Sequence, residues 1–153
     1  GKAKPDGSPN DVDTEFVNLF TVMNENESWY LQENIEKFTS ADIDTDDEAF
    51  QESNLMHVIN GYVYGNIPHL ISQKGNRIRW YVMALGTEVD LHSPHWHGNT
   101  GVANGRRLDV INLIPAESRV VDMVAHNPGI WMYHCHVNDH LSAGMTALYQ
   151  IKE

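Results

Sequence analysis

The chain is poor in cysteine, in basic residues and in long apolar runs. Its single cysteine, Cys135, excludes an intrachain disulfide framework. No stretch approaches the roughly 18 consecutive apolar residues of a membrane span, and no charged-then-apolar signal segment opens the sequence. Lys and Arg total 10 against 21 Asp and Glu, and the net charge of −11 argues against nucleic acid or an anionic membrane surface as partner. We therefore expect a protein without a membrane span that binds cations.

Length and patterning predict one all-β domain. A chain of 153 residues with 41% hydrophobic content can bury one core and is short for two. Gly1–Asn10 lacks periodicity and is predicted to be a flexible tail or linker, which leaves residues 11–153 for the domain. A short element is expected to begin in Trp29–Leu31, and a capping box at Thr45–Glu48 predicts one or two helical turns.

The remaining segments alternate with turn signals, as in a Greek-key sandwich or barrel with short helical segments. Strands are predicted at Val17–Met23, Arg77–Met83, Glu88–His92, Leu108–Leu113, Arg119–Val124, Ile130–His136 and Met145–Ile151.

Most of the nine histidines lie in two short clusters, which a random surface scatter would not produce. The first cluster reads His92-Ser-Pro-His95-Trp-His97, and the second reads His134-Cys135-His136, followed by His140 and Met145. Two His and one Cys with a weak axial Met are the ligands of blue copper, because copper accepts soft thiolate and thioether donors as well as imidazole. Structural zinc is the alternative, but zinc sites rarely use Met. The predicted copper ligands are His92, Cys135, His140 and Met145.

Strand alternation predicts a second metal-binding surface. If Cys135 faces the interior, the residues on either side of it face the opposite way. The same count places the first His-x-His pair opposite to His92, if the backbone stays extended through Pro94. The alternative is that these outer histidines are ordinary surface residues, which explains two His-x-His pairs poorly. The predicted outer set is His95, His97, His134 and His136.

Both clusters resemble the last-domain motifs of multicopper oxidases, His-x-x-His-x-His and His-Cys-His-x-x-x-His followed five residues later by Met. The stretches FTVMNENESWYLQENI, FQESNLMHVINGYVYGN and NPGIWMYHCHVNDHLSAGM are similar to the ceruloplasmin and hephaestin ferroxidases and to the A domains of clotting factors V and VIII. The similarity runs from about Asp11 to Ile151. Because the clotting-factor domains generally lack the full copper set, the ferroxidases are the better relatives.

The resemblance implies a cupredoxin domain of a copper oxidase and a role for each ligand. The inward set would bind the type 1 copper, which accepts electrons from the substrate and passes them to a trinuclear cluster that reduces O2 to water. His95 would bind the type 2 copper of that cluster, and His97, His134 and His136 would bind its type 3 pair.

The resemblance also implies a site for Fe(II) beside the type 1 copper, formed by Glu52, His57 and Asp139. Hard carboxylate oxygens suit iron, so the donor set is chemically sensible. The alternative for His57 is a buried histidine with satisfied hydrogen bonds.

The trinuclear cluster of this family takes eight histidines from two domains, and this chain offers four of them. The resemblance therefore implies a homo-oligomer (a dimer, trimer or hexamer) or association with a second cupredoxin domain. Two other functions remain open: a single-domain blue-copper electron-transfer protein, and an oxidase of phenols or other organic reductants. We expect a secreted, extracellular or periplasmic location, in which the Asn26-Glu27-Ser28 sequon would have meaning.

Overall fold

The long strands alternate buried and exposed side chains, as sheets that cover a core on one face require. A computed structural model describes residues 3–40 and 42–153 of the chain. Its strands are β1 Thr14–Asn24, β2 Leu55–Ile59, β3 Ile71–Gln73, β4 Arg77–Ala84, β5 Pro94–Trp96, β6 Gly101–Ala103, β7 Arg106–Leu108, β8 Ser118–Val124, β9 Gly129–Cys135 and β10 Thr146–Lys152. The helices are α1 Leu31–Phe38, α2 Glu48–Ser53 and α3 Asn138–Ser142, and Glu25–Glu27 forms a 3-10 helix. Across the described residues, no helix is long and apolar enough to cross a bilayer.

The strands form two sheets that pack face to face. One has six strands in the order β2-β1-β4-β8-β6-β7, and the other has four in the order β3-β10-β9-β5. Most neighbours are antiparallel, but β1 runs parallel to β4 and β3 runs parallel to β10. The segment between β5 and β6 therefore crosses from the small sheet to the large one. This arrangement confirms the predicted all-β sandwich with short helical segments.

Aromatic side chains join the two sheets at the centre of the core. The ring centroid of Trp80 on β4 lies 5.7 Å from Trp96, 5.0 Å from Tyr133 and 5.6 Å from Tyr149. The last three residues belong to the small sheet, so one indole contacts three of its strands. Large buried aromatic rings dominate core energetics, and such ring pairs add roughly 0.5–1.5 kcal/mol each beyond the area that they bury. The sandwich beneath the histidine clusters is therefore firmly packed.

Two predicted strands are wrong in extent because the chain turns where extension was expected. Residues 87–90 form a turn instead of the strand predicted at Glu88–His92, and only His92 pairs, in an isolated bridge with Leu113. The Asp90 carboxylate accepts hydrogen bonds from the backbone N–H and the hydroxyl of Thr87, which stabilises the turn. Of the strand predicted at Leu108–Leu113, only Leu108 lies in a strand, as the last residue of β7. The chain beyond it forms only isolated bridges with the segment that carries the first histidine cluster.

One helical prediction is corrected in its cap and the other element begins where expected. α2 begins at Glu48, and its N-cap is Asp47, whose side chain accepts the N–H of Phe50 at 2.9 Å, rather than Thr45. The short element expected to begin in Trp29–Leu31 is the helix α1, which begins at Leu31. Within the predicted tail Gly1–Asn10, Gly1 and Lys2 lie outside the described residues. The rest folds back on itself through a bond from Lys4 N–H to Ser8 O, 2.7 Å long. The division into a tail and a domain stays a prediction.

Candidate metal centres

One group of ligating side chains lies in the interior at the end of β9. His92, Cys135 and His140 are all buried, and one ligand atom from each lies within 4.8 Å of the others. The Sγ of Cys135 is 3.9 Å from Nδ1 of His92 and 3.6 Å from Nδ1 of His140. His92, which precedes Cys135 by 43 positions, thus converges with Cys135 and the nearby His140 on one small volume.

Local structure explains how the third and fourth predicted ligands reach this volume. The short helix α3 follows β9 at once and carries His140 on its buried side. The N–H of Met145 donates to the carbonyl of His140 at 2.9 Å, and Cys135 N–H donates to the carbonyl of Met145 at 3.0 Å. Met145 is fully buried in the same core cluster as Cys135. The loop between β9 and β10 therefore returns a thioether to the neighbourhood of the thiol.

The chemistry of this inner group fits copper. Burial raises the pKa of the Cys135 thiol, and the backbone N–H of Ser93, which donates to Sγ at 3.3 Å, partly offsets that effect. The Nδ1 atoms of His92 and His140 both face this sulfur. One soft sulfur ligand with two imidazoles and a nearby thioether suits copper better than zinc.

The outer histidines form a second group on the other face of β9. Nδ1 of His95 and Nε2 of His97 lie 3.1 Å and 3.0 Å from Nε2 of His134. Register explains the first contact, because His95 on β5 pairs directly with His134 on β9. The ring of His136 lies 5.0 Å from that of His95, centroid to centroid. All four residues of the outer set are therefore gathered on one surface, as strand alternation predicts.

His134 differs from the simple expectation of a side chain that leaves the domain. It is only 3% exposed, because the neighbouring imidazoles cover it and its own Nδ1 lies 2.8 Å from the carbonyl of Cys135. That contact orients the ring and leaves Nε2 toward the other histidines. The outer group is thus a small, partly buried cluster of imidazoles.

Burial lowers the pKa of several of these imidazoles. Desolvation, with a smaller effect from His140, lowers the pKa of His92 to about 4. Desolvation is also the largest cause that lowers the pKa of His95, His134 and His140. Neutral imidazoles keep a lone pair free for a metal, so the sites stay competent for binding in mildly acidic solution.

The metal-free chain is expected to lose stability as the pH falls from about 6.5 toward about 4. In the folded state the lowered pKa values keep these histidines neutral to a lower pH. In the unfolded state they take up protons near their ordinary pKa. The unfolded state therefore binds more protons across that window, and acid favours unfolding. Urea denaturation at several pH values measures the effect, and His92→Gln, which cannot protonate, should show a shallower decline. Equal stability of the wild type at pH 7 and pH 5 would contradict the expectation.

The structure brings together two of the three residues expected to bind iron. Nε2 of His57 lies 3.8 Å from a carboxylate oxygen of Glu52, and the ring of His57 lies 5.0 Å from that of His140. His57 is buried, and neither ring nitrogen has a hydrogen-bond partner among the described residues, so it is not a satisfied core histidine. Asp139 lies in the first turn of α3, directly before His140. Within residues 3–40 and 42–153 the three do not form a closed ligand group such as the two above.

Several residues that shape the site carry no signal in the sequence. Ser93 contributes only its backbone N–H, and Asp90 holds the turn before His92 through Thr87. Asn99 and Tyr149 both donate to the carbonyl of His97, Asn99 from its backbone N–H and Tyr149 from its hydroxyl. None belongs to a motif of regular spacing, and only the folded chain reveals their roles.

Comparison with known proteins gives consistent results. Residues 30–153 match the family model described as multicopper oxidase. The chain is 48% identical over 147 residues to the human ferroxidase HEPHL1, covering 95% of this chain and 13% of that protein. It is 46% identical over 157 residues to human hephaestin, covering 99% of this chain and 14% of that protein. Rat ceruloplasmin is 45% identical over 144 residues, which cover 93% of this chain and 14% of that protein.

The chain thus spans 13% to 14% of the length of these relatives. Among solved structures, a multicopper oxidase from Campylobacter jejuni, described as a metallo-oxidase, superposes with a TM-score of 0.64 at 22% identity. The match covers 93% of this chain and 30% of that one. At this identity the likeness supports the fold alone.

Proposed function

Because the chain belongs to the multicopper oxidase family, we propose that it is the electron-accepting domain of an oxidase that reduces O2 to water. The observation that carries the proposal is the pair of ligand groups on opposite faces of β9. Copper is the metal of this family, and when bound it would supply one-electron transfer at the inner group and oxygen reduction at the outer group.

The chain's own residues divide the work between the two groups. Cys135 and the two inner imidazoles would hold one metal in a buried volume with the thioether of Met145 nearby. His134 and His136 flank Cys135, so two peptide bonds join the inner group to the outer one. Electrons accepted inside thus have a short covalent route to the opposite face.

The outer group offers four of the eight histidines that the family's cluster takes, so a second domain is part of the proposal. The same sheet face is apolar beside the histidines: Ile130 is 65% exposed and Leu148 is 48% exposed. Ile130 precedes His134 by four residues on β9, which places both on one face. A second cupredoxin domain, or a copy of this chain, would cover this face and complete the ligand set. Between identical chains the simplest contact is a two-fold one, as in a dimer or within a hexamer, whereas a trimer requires a heterologous contact.

The proposed reductant is Fe(II), bound by Glu52, His57 and Asp139. The observation that favours it is the buried imidazole of His57, which lies near a carboxylate oxygen of Glu52 and beside the ring of His140 and has no hydrogen-bond partner among the described residues. Each ferrous ion would give up one electron across this contact and leave as ferric iron. Four Fe(II), one O2 and four protons then yield four Fe(III) and two water molecules.

The iron site is tested by comparing two reductants. Glu52→Ala, His57→Ala or Asp139→Ala is expected to slow Fe(II) oxidation roughly tenfold or more, which corresponds to about 1.4 kcal/mol of lost transition-state stabilisation. Oxidation of a bulky phenol should change far less, because it does not use this site. Steady-state rates with each reductant provide the measurement.

Glu48→Ala is the matched control for that comparison. It removes the same charge one helical turn earlier on α2, so it reports any general electrostatic attraction of Fe(II). Asp139→Ala is the most disruptive of the three variants, because its neighbour His140 belongs to the inner group. Equal losses for both reductants, or equal losses in Glu48→Ala, would contradict a dedicated iron site.

An electron-transfer protein is the second candidate function, because the chain alone offers only half of the cluster ligands. Measurement of molecular mass together with copper content in solution separates the two. A monomer with one copper supports the electron carrier. An oligomer of this chain with about five coppers per two-fold contact, one in each inner group and three in the shared cluster, supports the oxidase. A faster reaction with phenols than with Fe(II) supports an oxidase of organic substrates.

A further inference from the structure

Hydrogen bonds to two successive backbone carbonyls fix the segment that carries His97. His97 directly follows β5, where the chain leaves the small sheet and crosses to β6. Its carbonyl accepts a bond from the hydroxyl of Tyr149 and another, 2.9 Å long, from the N–H of Asn99. The next carbonyl, of Gly98, accepts from Nδ2 of Asn127 at 2.9 Å. Two successive peptide groups are thus bound to side chains from other strands and loops.

Asn99 links these contacts into one buried unit. It is 2% exposed, and both ends of its amide are engaged. Its Oδ1 accepts the N–H groups of His126 and Asn127 at 3.2 and 3.0 Å. Its Nδ2 donates to the hydroxyl of Tyr149 at 3.1 Å and lies 3.4 Å from the carbonyl of Asn127. A satisfied buried amide of this kind fixes the loops that it joins, since any displacement leaves polar groups unpaired.

The ring of Trp131 packs against Gly98, next to these hydrogen bonds. Gly98 has a φ of +73°, and a Cβ at that position would lie 2.1 Å from the indole of Trp131. The indole N–H donates to the carbonyl of Asn127 at 2.9 Å, which keeps the ring against Gly98. A left-handed glycine under a fixed aromatic ring leaves the crossing segment little freedom.

We infer that Asn99 and Tyr149, with Asn127 and Trp131, form a positioning unit that aims His97 at His134 before any metal binds. The inference rests on the proposed function, in which His97 is a ligand of the outer group. His95 and His134 lie within paired strands, whereas His97 lies beyond the end of β5. The N–H of His97 still donates to the carbonyl of Met132 on β9 at 3.0 Å, but its carbonyl and the peptide group that follows depend on the unit. Residues that hydrogen-bond to a metal ligand and orient it typically raise metal affinity 10- to 100-fold, because the ligand then loses less conformational freedom on binding.

Tyr149→Phe tests the unit with the least disturbance, since it removes one hydroxyl and keeps the buried ring. Cu(II) affinity of the outer group is expected to fall about 10- to 100-fold. Titration of the full chain with Cu(II), followed by the non-blue electron paramagnetic resonance signal, measures that affinity. In the metal-free protein, imidazole NMR signals of His97 should broaden. The blue absorption of the inner group should change little, and loss of the buried hydroxyl should lower the thermal unfolding temperature by only a few degrees.

Tyr133→Phe is the matched control. It removes a buried tyrosine hydroxyl from the same sheet, and that hydroxyl has no hydrogen-bond partner among the described residues. It should leave the outer affinity unchanged. Asn99→Ala should weaken the outer group further, and if it does not fold, Tyr149→Phe still decides the matter.

The outcomes separate this inference from the proposal on which it rests. If the wild type shows no non-blue Cu(II) signal that depends on the outer histidines, the proposed function itself fails. If the wild type binds and Tyr149→Phe binds equally well, with His97 signals unchanged, the positioning unit is refuted. If Tyr149→Phe loses both the blue absorption and Cu(II) binding at the outer group, the inference is also refuted, because the hydroxyl would then support the whole fold.

Discussion

Replacing Cys135 with Ser is expected to abolish the blue colour of the copper-loaded protein completely. The intense absorption of such sites requires copper–thiolate bonding, and a serine hydroxyl cannot provide it. Cys135 is the chain's only cysteine, so no other thiol can take its place. Visible absorption of the wild type and the variant after copper loading is the measurement. A colourless wild type would remove the case for a type 1 site.

Met145→Leu is the companion variant, because it conserves volume at a fully buried position and removes only the thioether. The colour should persist, while the reduction potential of the copper should shift, since the axial ligand is weak and tunes the metal without holding it. Bleaching by this substitution would show that the sulfur of Met145 has a different role from the one assigned. The two variants together distinguish the strong sulfur ligand from the weak one.

The double substitution His95→Ala with His97→Ala should eliminate oxygen reduction and the cluster coppers while preserving the blue site. Both imidazoles lie within 3.1 Å of Nε2 of His134, so their loss removes two of the three closest donors of the outer group. The inner ligands face the core on the other side of β9 and keep their contacts. Oxygen consumption, copper content and visible absorption, measured on one preparation, give the three readouts.

His126→Ala controls for the general removal of an imidazole, because this exposed residue belongs to neither group. It should leave copper content, colour and oxygen consumption unchanged. If metal bridges two domains, the double variant should also associate more weakly, and the wild type should associate more strongly with copper than without it. Wild-type oxygen reduction by the double variant, or by a monomeric wild type, would rule out a shared cluster.

The division of the ligand side chains into an inner and an outer group could largely be predicted from the sequence, because side-chain alternation is a local property of a strand. Knowing that Cys135 is buried is enough to place its two neighbours on the opposite face. Long alternating segments such as β4 and β9 were recognisable for the same reason. The residue types themselves, a thiol and imidazoles at short spacing, already indicated a soft, copper-binding donor set.

Short elements and turns were harder, because side chains compete locally for the backbone. Three-residue strands such as β5 and β6 carry too few positions to show a period. Residues 87–90 look extended in composition, yet Asp90 bonds to Thr87 and closes a turn. Asp47 caps α2 where Thr45 also has a suitable side chain, and only the path of the chain distinguishes the two.

The donor atoms, their alternation along β9 and the relationship to a copper family are all evident before the chain is folded. The tertiary structure adds that His92 meets Cys135 across 43 positions of chain and that neighbouring imidazoles cover His134. It also places His57 against His140, with no hydrogen-bond partner for its ring nitrogens among the described residues. It also decided that Asn99 and Tyr149, 50 positions apart, meet behind His97. Such contacts depend on how two twisted sheets pack and where loops cross between them, and that packing is a property of the whole fold that no local pattern encodes.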